Sequence, residues 1–308
     1  MADECRHARR RDDRGAAAAL RYTAPSGNGS GVPMASSSRS KSRQGQIRVG
    51  VGGWIYAPWR GAFYPKGLAQ RRELEYASRH LSTLEINSTY YGAQRPESFR
   101  RWHDETPDDF VFSVKGPRFA MNRRVLAEAG AAIARFMNGG VLNLRGKLGP
   151  INWQLAPGKR FDPEDYARFL ELLPREGDGR PLRHALEVRD ASFCTPEFVA
   201  LAREHNAAIV VSGDSDYPLI ADISAPFVYA RIMGTAQSHA QGYASADLDR
   251  WAERALAWSR GETPGDLPTY AKPVAAKTGR DVFLYVISGF KERNPAAAMA
   301  LIERLGTR

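Results

Sequence analysis

The chain holds only two cysteines, Cys5 and Cys194, one in a polar tail and one far along the sequence. A disulfide framework is therefore excluded, and a reducing, cytoplasmic setting is the expectation. No apolar run approaches the ~20 residues that a membrane helix needs, so no membrane partner is expected. Histidine pairs of the HxH or HExxH kind are also missing. His80, His103, His184, His205 and His239 are scattered, and a histidine-built metal centre has nothing to start from. Gly50-Val51-Gly52-Gly53 lacks the GxGxxG spacing, and no acidic residue closes a second strand about 20 residues later, as a dinucleotide loop would require. Neither a cofactor nor a metal is expected on these grounds. A magnesium site made of Glu85, Glu187 and Asp214 is a thin alternative.

Charge of one sign is in excess, at +10, but unevenly. Residues 1–46 carry nine Lys/Arg against four Asp/Glu, half of the surplus, and the other half is spread over 262 residues. The tail has Arg9-Arg10-Arg11, Ser36-Ser37-Ser38 and almost no large apolar groups. Such a composition cannot bury enough surface to offset chain entropy, so disorder is expected over 1–46, with the folded domain at 47–308. Ala16–Leu20 is too short for the ~7–15-residue core of a signal peptide, which argues against export. Initiation at Met34 rather than Met1 is an equally plain account of the tail, and weak contact with nucleic acid is a third.

What the chain does have is a repeated two-residue period. In Thr83–Tyr91, Leu84 and Ile86 share one face and Thr83, Glu85 and Asn87 the other. Phe112 and Val114 alternate with Ser113 and Lys115, and Trp153 and Leu155 with Asn152 and Gln154. Leu186 and Val188 alternate with Glu187 and Arg189, and Ala230 and Ile232 with Tyr229 and Arg231. Successive side chains on a strand point to opposite faces. These strands each carry one greasy face and one that ends in a charge or an amide, which describes the interior of a barrel near its mouth.

Strands are predicted at 47–52, 82–87, 110–115, 150–155, 184–189, 207–212, 227–232 and 281–287. Helical patterns stand between nearly all of them, several announced by a cap or a first-turn proline: Pro96, Asp162-Pro163, Thr195-Pro196, Ser245 and Asn294-Pro295. Eight strand–helix units in about 260 residues have the count and size of a (β/α)8 TIM-type barrel. A doubly wound open sheet would need more uniformly apolar central strands. The glycines at 50–53 are read as points of close backbone approach at the rim.

Ordered motifs carry a family resemblance. Gly53-Trp54, Trp59-Arg60-Gly61, Phe63-Tyr64-Pro65, Glu85–Tyr91, Phe112–Lys115, Leu148-Gly149-Pro150 with Gln154-Leu155, and Glu187-Val188-Arg189 resemble the YecE-like family, the domain of unknown function numbered 72. The likeness runs over residues 47–308 and implies the eight-fold barrel, without an established activity. Family members resemble one another in ending the last strand with an aromatic and paired asparagines. Here Val286-Ile287-Ser288-Gly289-Phe290-Lys291 stands in that place, and a site role for those asparagines is not carried over.

Active sites of such barrels lie at the C-terminal ends of the strands. The inward polar groups expected there are Glu85, Asn87, Lys115, Gln154, Glu187, Arg189, Asp214 and Arg231. Crowded charges shift one another's proton affinities. Glu85 and Glu187 are thus the acid/base candidates. Lys115 is the candidate electrophile or Schiff-base amine, and Arg189 and Arg231 the anion clamp. Ser288-Gly289, ahead of Lys291, Arg293 and a helix start, are candidates for holding phosphate. Trp54, Tyr56, Trp59 and Tyr91 are expected at the surface as a stacking rim. The function expected first is an enzyme acting on a phosphorylated or otherwise anionic small molecule, of hydrolase, lyase or isomerase type. The alternative is a nucleic-acid binder or phosphoesterase using the basic, aromatic rim, and a non-catalytic interaction protein is the third. The sequence sets no oligomeric state.

Overall fold

In the computed structural model, which describes residues 44–274 and 278–307, eight parallel strands close on themselves. They are β1 Ile47–Gly52, β2 Thr83–Ile86, β3 Val111–Lys115, β4 Leu148–Gln154, β5 His184–Glu187, β6 Ala208–Gly213, β7 Phe227–Ile232 and β8 Asp281–Val286. Each pairs with its sequence neighbours, and β8 returns to β1 through Val49↔Leu284 and Val51↔Val286. The expected strands and their parallel closure are all present.

Around them lie α1 Glu73–His80, α2 Pro96–Asp104, α3 Gly130–Asn138, α4 Pro163–Glu171, α5 Pro196–Glu204, α6 Ser245–Ser259 and α7 Asn294–Leu305. Local chemistry starts several of them. The Asp162 carboxylate accepts from the Asp165 amide, and the Thr195 hydroxyl from the Phe198 amide, each satisfying a helix N–H that has no partner within the helix. Leu248, Trp251, Ala255 and Trp258 of α6 are buried as one stripe. Two details depart from the regular pattern. A two-residue antiparallel hairpin, Glu176–Gly177 with Arg180–Pro181, precedes β5, and the fully described connection from β6 to β7 contains no helix. Gln44–Gln46, assigned to the tail by composition, run against the barrel, with the Gln44 amide on the Ser259 hydroxyl and the Gln46 N–H on Asp281. Residues 1–43 lie outside the described residues.

The apolar side chains form two separate cores. The larger fills the space between strands and helices, and the smaller, including Val210, Phe227, Tyr229, Phe283 and Tyr285, fills the barrel interior. This is the division that the two-residue period demands. The interior is a packed plug, and its polar groups are concentrated in the layer above it.

Candidate active site at the barrel mouth

Register places the charged side chains on one level. Gln154 of β4 stands opposite Glu187 of β5, and Ser212 of β6 opposite Arg231 of β7. Gly52 of β1 stands opposite Glu85 of β2. A Cβ on Gly52 would come within 2.8 Å of the Asn87 amide and 2.9 Å of Ile287. The glycine is what lets this layer close, as the rim reading anticipated.

Arg231 is the centre of the layer. It is 5% exposed and donates to both acids, at 2.6 Å to Glu187 and 3.1 Å to Glu85. Tyr229, two residues earlier on the same inward face, donates its hydroxyl to Glu85 at 2.6 Å. Asn152 donates to Glu187 at 3.0 Å. Arg189 adds two bonds to the other Glu187 oxygen, at 2.7 and 3.1 Å, and lies over the Tyr217 ring. Both carboxylates are fully buried. Burial alone would raise the Glu187 pKa, but Arg231, Lys115, Arg189 and the Asn152 amide outweigh it and hold the group at about 2. Burial would likewise weaken the Arg231 charge, and Glu187 and Glu85 overcome it, leaving the guanidinium more basic than usual.

Lys115 is placed differently. It is 7% exposed, donates to the Gln154 side-chain oxygen, and sits 4.7 Å from the centre of the Tyr90 ring. Among the described residues it forms no ion pair with either carboxylate, although both lie close enough to influence it. Burial, followed by repulsion from Arg231, lowers its pKa to about 8. The layer thus holds three cations and two carboxylates, and the carboxylates are committed to the arginines. Three buried polar atoms on this level, Asn152 Oδ1, Ser212 Oγ and Arg231 Nε, have no hydrogen-bond partner among the described residues.

Of the residues singled out from sequence, Glu85, Lys115, Gln154, Glu187, Arg189 and Arg231 converge, with Asn87 at their edge. Asp214 does not join them. Its φ of 52° ends the strand alternation, and its carboxylate accepts from Trp251 Nε1 on α6 at 2.8 Å. The trio Glu85, Glu187 and Asp214 is therefore not assembled. Trp54 and Trp59 are not surface aromatics. Trp54 packs on Trp102 and Phe112, and Trp59 is fully buried, its indole N–H on the Lys291 carbonyl. Tyr91 does stand at the rim, 70% exposed, whereas its neighbour Tyr90 faces Lys115. Ser288 and Gly289 are exposed in a left-handed turn, with φ of 60° and 54°. A Cβ on Gly289 would come within 2.6 Å of the Thr235 carbonyl. Lys291 beside them lies over the Tyr56 ring at 4.2 Å. Sequence reasoning passed over Asn152 and Tyr229 as site residues, although the two-residue period had put both on the inward face. It also passed over Tyr90, in the one-turn helix Ser88–Tyr91 after β2, and Tyr217, in a loop, where the strand period no longer operates. A shallow cavity of about 360 Å³, bordered by Arg203, Asn206, Pro226 and Arg280, shares no side chain with the mouth.

The family described as "Protein of unknown function DUF72" matches residues 48–308. The chain belongs to the DUF72 family. The UPF0759 protein YecE of Escherichia coli K12 is 29% identical over 123 residues, which cover 39% of this chain and 42% of YecE. The chain therefore matches less than half the length of that relative. Among solved structures, the DUF72 protein of Thermotoga maritima MSB8 superposes with a TM-score of 0.62 at 20% identity, covering 84% of this chain and 98% of that one. The DUF72 protein of Enterococcus faecalis V583 gives 0.62 at 16% identity, covering 86% and 100%. These likenesses show the DUF72 barrel in the present chain. Among the described residues, no helix is long and apolar enough to cross a membrane.

Proposed function

We propose that the barrel mouth is the active site of an enzyme for a small anionic molecule, with Lys115 as the proton-transferring group. The observation that carries this is a buried lysine at the mouth whose only hydrogen-bond acceptor, among the described residues, is a neutral amide. Burying an ammonium without a counter-charge is costly, and a bound anion would supply that charge. Arg189, with 15% of its side chain exposed, and the free Nε of Arg231 add positive potential beside it. The unpartnered Asn152 oxygen and Ser212 hydroxyl offer further hydrogen bonds to a ligand. Glu85 and Glu187 anchor the arginine in this reading. Glu187, with a pKa near 2, is a weak base, whereas a group near 8 exchanges protons readily at neutral pH. Ser288 and Gly289 would extend the anion contact on the β8 side. No metal or cofactor is invoked, and the cysteine usage supports a cytoplasmic setting.

Calorimetric titration with inorganic phosphate, pyruvate and dihydroxyacetone phosphate tests this. At least one should bind, with affinity falling about tenfold or more, some 1.4 kcal/mol, in Lys115→Met and Arg189→Met. Failure of all three to bind, or equal binding by both variants, would sink the reading.

The rim supports a second reading. Ile55, Tyr91 and Phe119 are exposed on the connections that follow β1, β2 and β3, the latter two in single-turn helices, and Arg118 lies 5.8 Å from the Tyr91 ring. Aromatic and cationic groups in that arrangement suit stacking on a single-stranded nucleic acid. A steep fall in single-stranded DNA binding with added salt, reduced in Tyr91→Ala, would favour it. Salt-independent binding, or none, would leave the small-anion enzyme alone.

A further inference from the structure

Resting on the reading of the mouth as an anion site, we infer that Lys115 captures a carbonyl carbon, forming a Schiff base with a small aldehyde or ketone that carries an adjacent carboxylate or phosphate. Three features of the geometry point to covalent capture. First, Lys115 sits on the inward face at the C-terminal end of β3, and the strand and its pairing with Asn152 of β4 fix its backbone. Second, its single anchor among the described residues is the Gln154 oxygen, which engages one N–H and leaves the nitrogen lone pair of the neutral amine free. A carboxylate partner would instead hold the amine protonated. Third, two arginines flank it, and both are tied down by Glu187. They discourage a second positive charge and offer a fixed positive field to the anionic end of the substrate. The depressed proton affinity of the amine agrees with this placement. It gives a neutral-amine fraction at pH 7 roughly a few hundredfold above that of an ordinary lysine.

The step balances without any redox partner. The ammonium first releases one proton to solvent. The amine lone pair forms the C–N bond while the carbonyl π pair moves onto oxygen. The two remaining nitrogen protons pass through solvent to that oxygen, which departs as water, and the nitrogen pair closes the C=N bond. Taking one proton back from solvent gives the iminium, whose positive charge draws electrons from the neighbouring carbon. Tyr90 covers one side of the nitrogen with its ring.

Borohydride reduction of the full chain with pyruvate, and in parallel with dihydroxyacetone phosphate, followed by peptide mass mapping, is the test. The expected result is a reduced adduct on Lys115, at an extent about tenfold or more above that on the exposed Lys66. It should require both probe and borohydride, and be absent at that position in Lys115→Arg, which keeps the charge. Labelling by pyruvate alone would assign a carboxylate to the anionic end. Labelling by dihydroxyacetone phosphate alone would assign a phosphate. Labelling of Lys115 no stronger than of Lys66 with both probes overturns the inference. If calorimetry then shows a probe bound without label, the anion site stands and covalent capture falls. If neither probe labels, and inorganic phosphate and both probes all fail to bind, both readings fall.

Discussion

Two lysines are buried in this barrel to nearly the same degree, and their surroundings differ in kind. Lys147, 4% exposed just before β4, donates to the His103 carbonyl at 2.6 Å and the Thr106 carbonyl at 2.7 Å, and to the Thr106 hydroxyl at 3.3 Å. It closes the C-terminal end of α2, where carbonyls lack partners and the helix dipole is negative. Every proton of that ammonium is used within the chain. Lys115, 7% exposed at the opposite end of the strands, has one acceptor among the described residues, an aromatic ring and two nearby arginines. A satisfied buried charge is a structural part. An unsatisfied one, set where a ligand can reach it, costs stability that function can offset.

The comparison can be sharpened by removing charges one at a time. Arg231→Met should have the largest effect, because it leaves Glu85 and Glu187 buried without their shared partner. Breaking such a pair costs about 3–5 kcal/mol, read as a lowered midpoint in denaturant melts. A loss under about 1 kcal/mol would show that Arg231 is not the anchor described above. Lys147→Met should come next, at about 2–3 kcal/mol, since it abandons charge-assisted bonds to the His103 and Thr106 carbonyls. Lys115→Met should change stability by less than about 1 kcal/mol, or raise it, because burial opposes its charge. Equal losses at 147 and 115 would erase the distinction between the two lysines.

A smaller effect follows from pH. The folded-state pKa of Lys115, about 8, lies below its ordinary value of 10.5. Between these values the unfolded chain binds more protons than the folded one, so stability rises with pH through the window 8 to 10.5. The groups facing Lys115 are Glu85, Glu187, Arg189 and Arg231. Relative to wild type, Lys115→Met should lose its advantage by up to about 3 kcal/mol between pH 8 and 10.5. Parallel stability–pH curves would refute the depressed lysine. At the acid end the sign is that of a carboxylate. The contribution of Glu187 is full above its ordinary value of 4.5 and is lost as pH falls toward 2. Glu187→Gln should accordingly flatten the acid limb of the wild-type melting curve, and an unchanged limb would argue against the ion network.

Much of this was legible in the chain itself, because the signals are local. Alternation along a strand follows from backbone pleating, and helix starts at Asp162 and Thr195 follow from a side chain reaching an amide three residues on. Eight strands, their inward faces and the gathering of Glu85, Lys115, Gln154, Glu187, Arg189 and Arg231 at one end were therefore set by sequence. Where the backbone leaves the strand, that logic stops. Gly53, at φ 72°, precedes Trp54, and Asp214 itself has φ 52°. A left-handed residue breaks the alternation, and both side chains turn to the outer layer, Trp54 onto Trp102 and Asp214 onto Trp251. Partner choice was likewise decided only in three dimensions. Nothing local distinguishes Lys115 from Arg231, and the closed register sets Arg231 between the two acids while Lys115 faces an amide. Which charges become structural and which stay available depends on distances across the barrel, and those exist only once β8 has paired with β1.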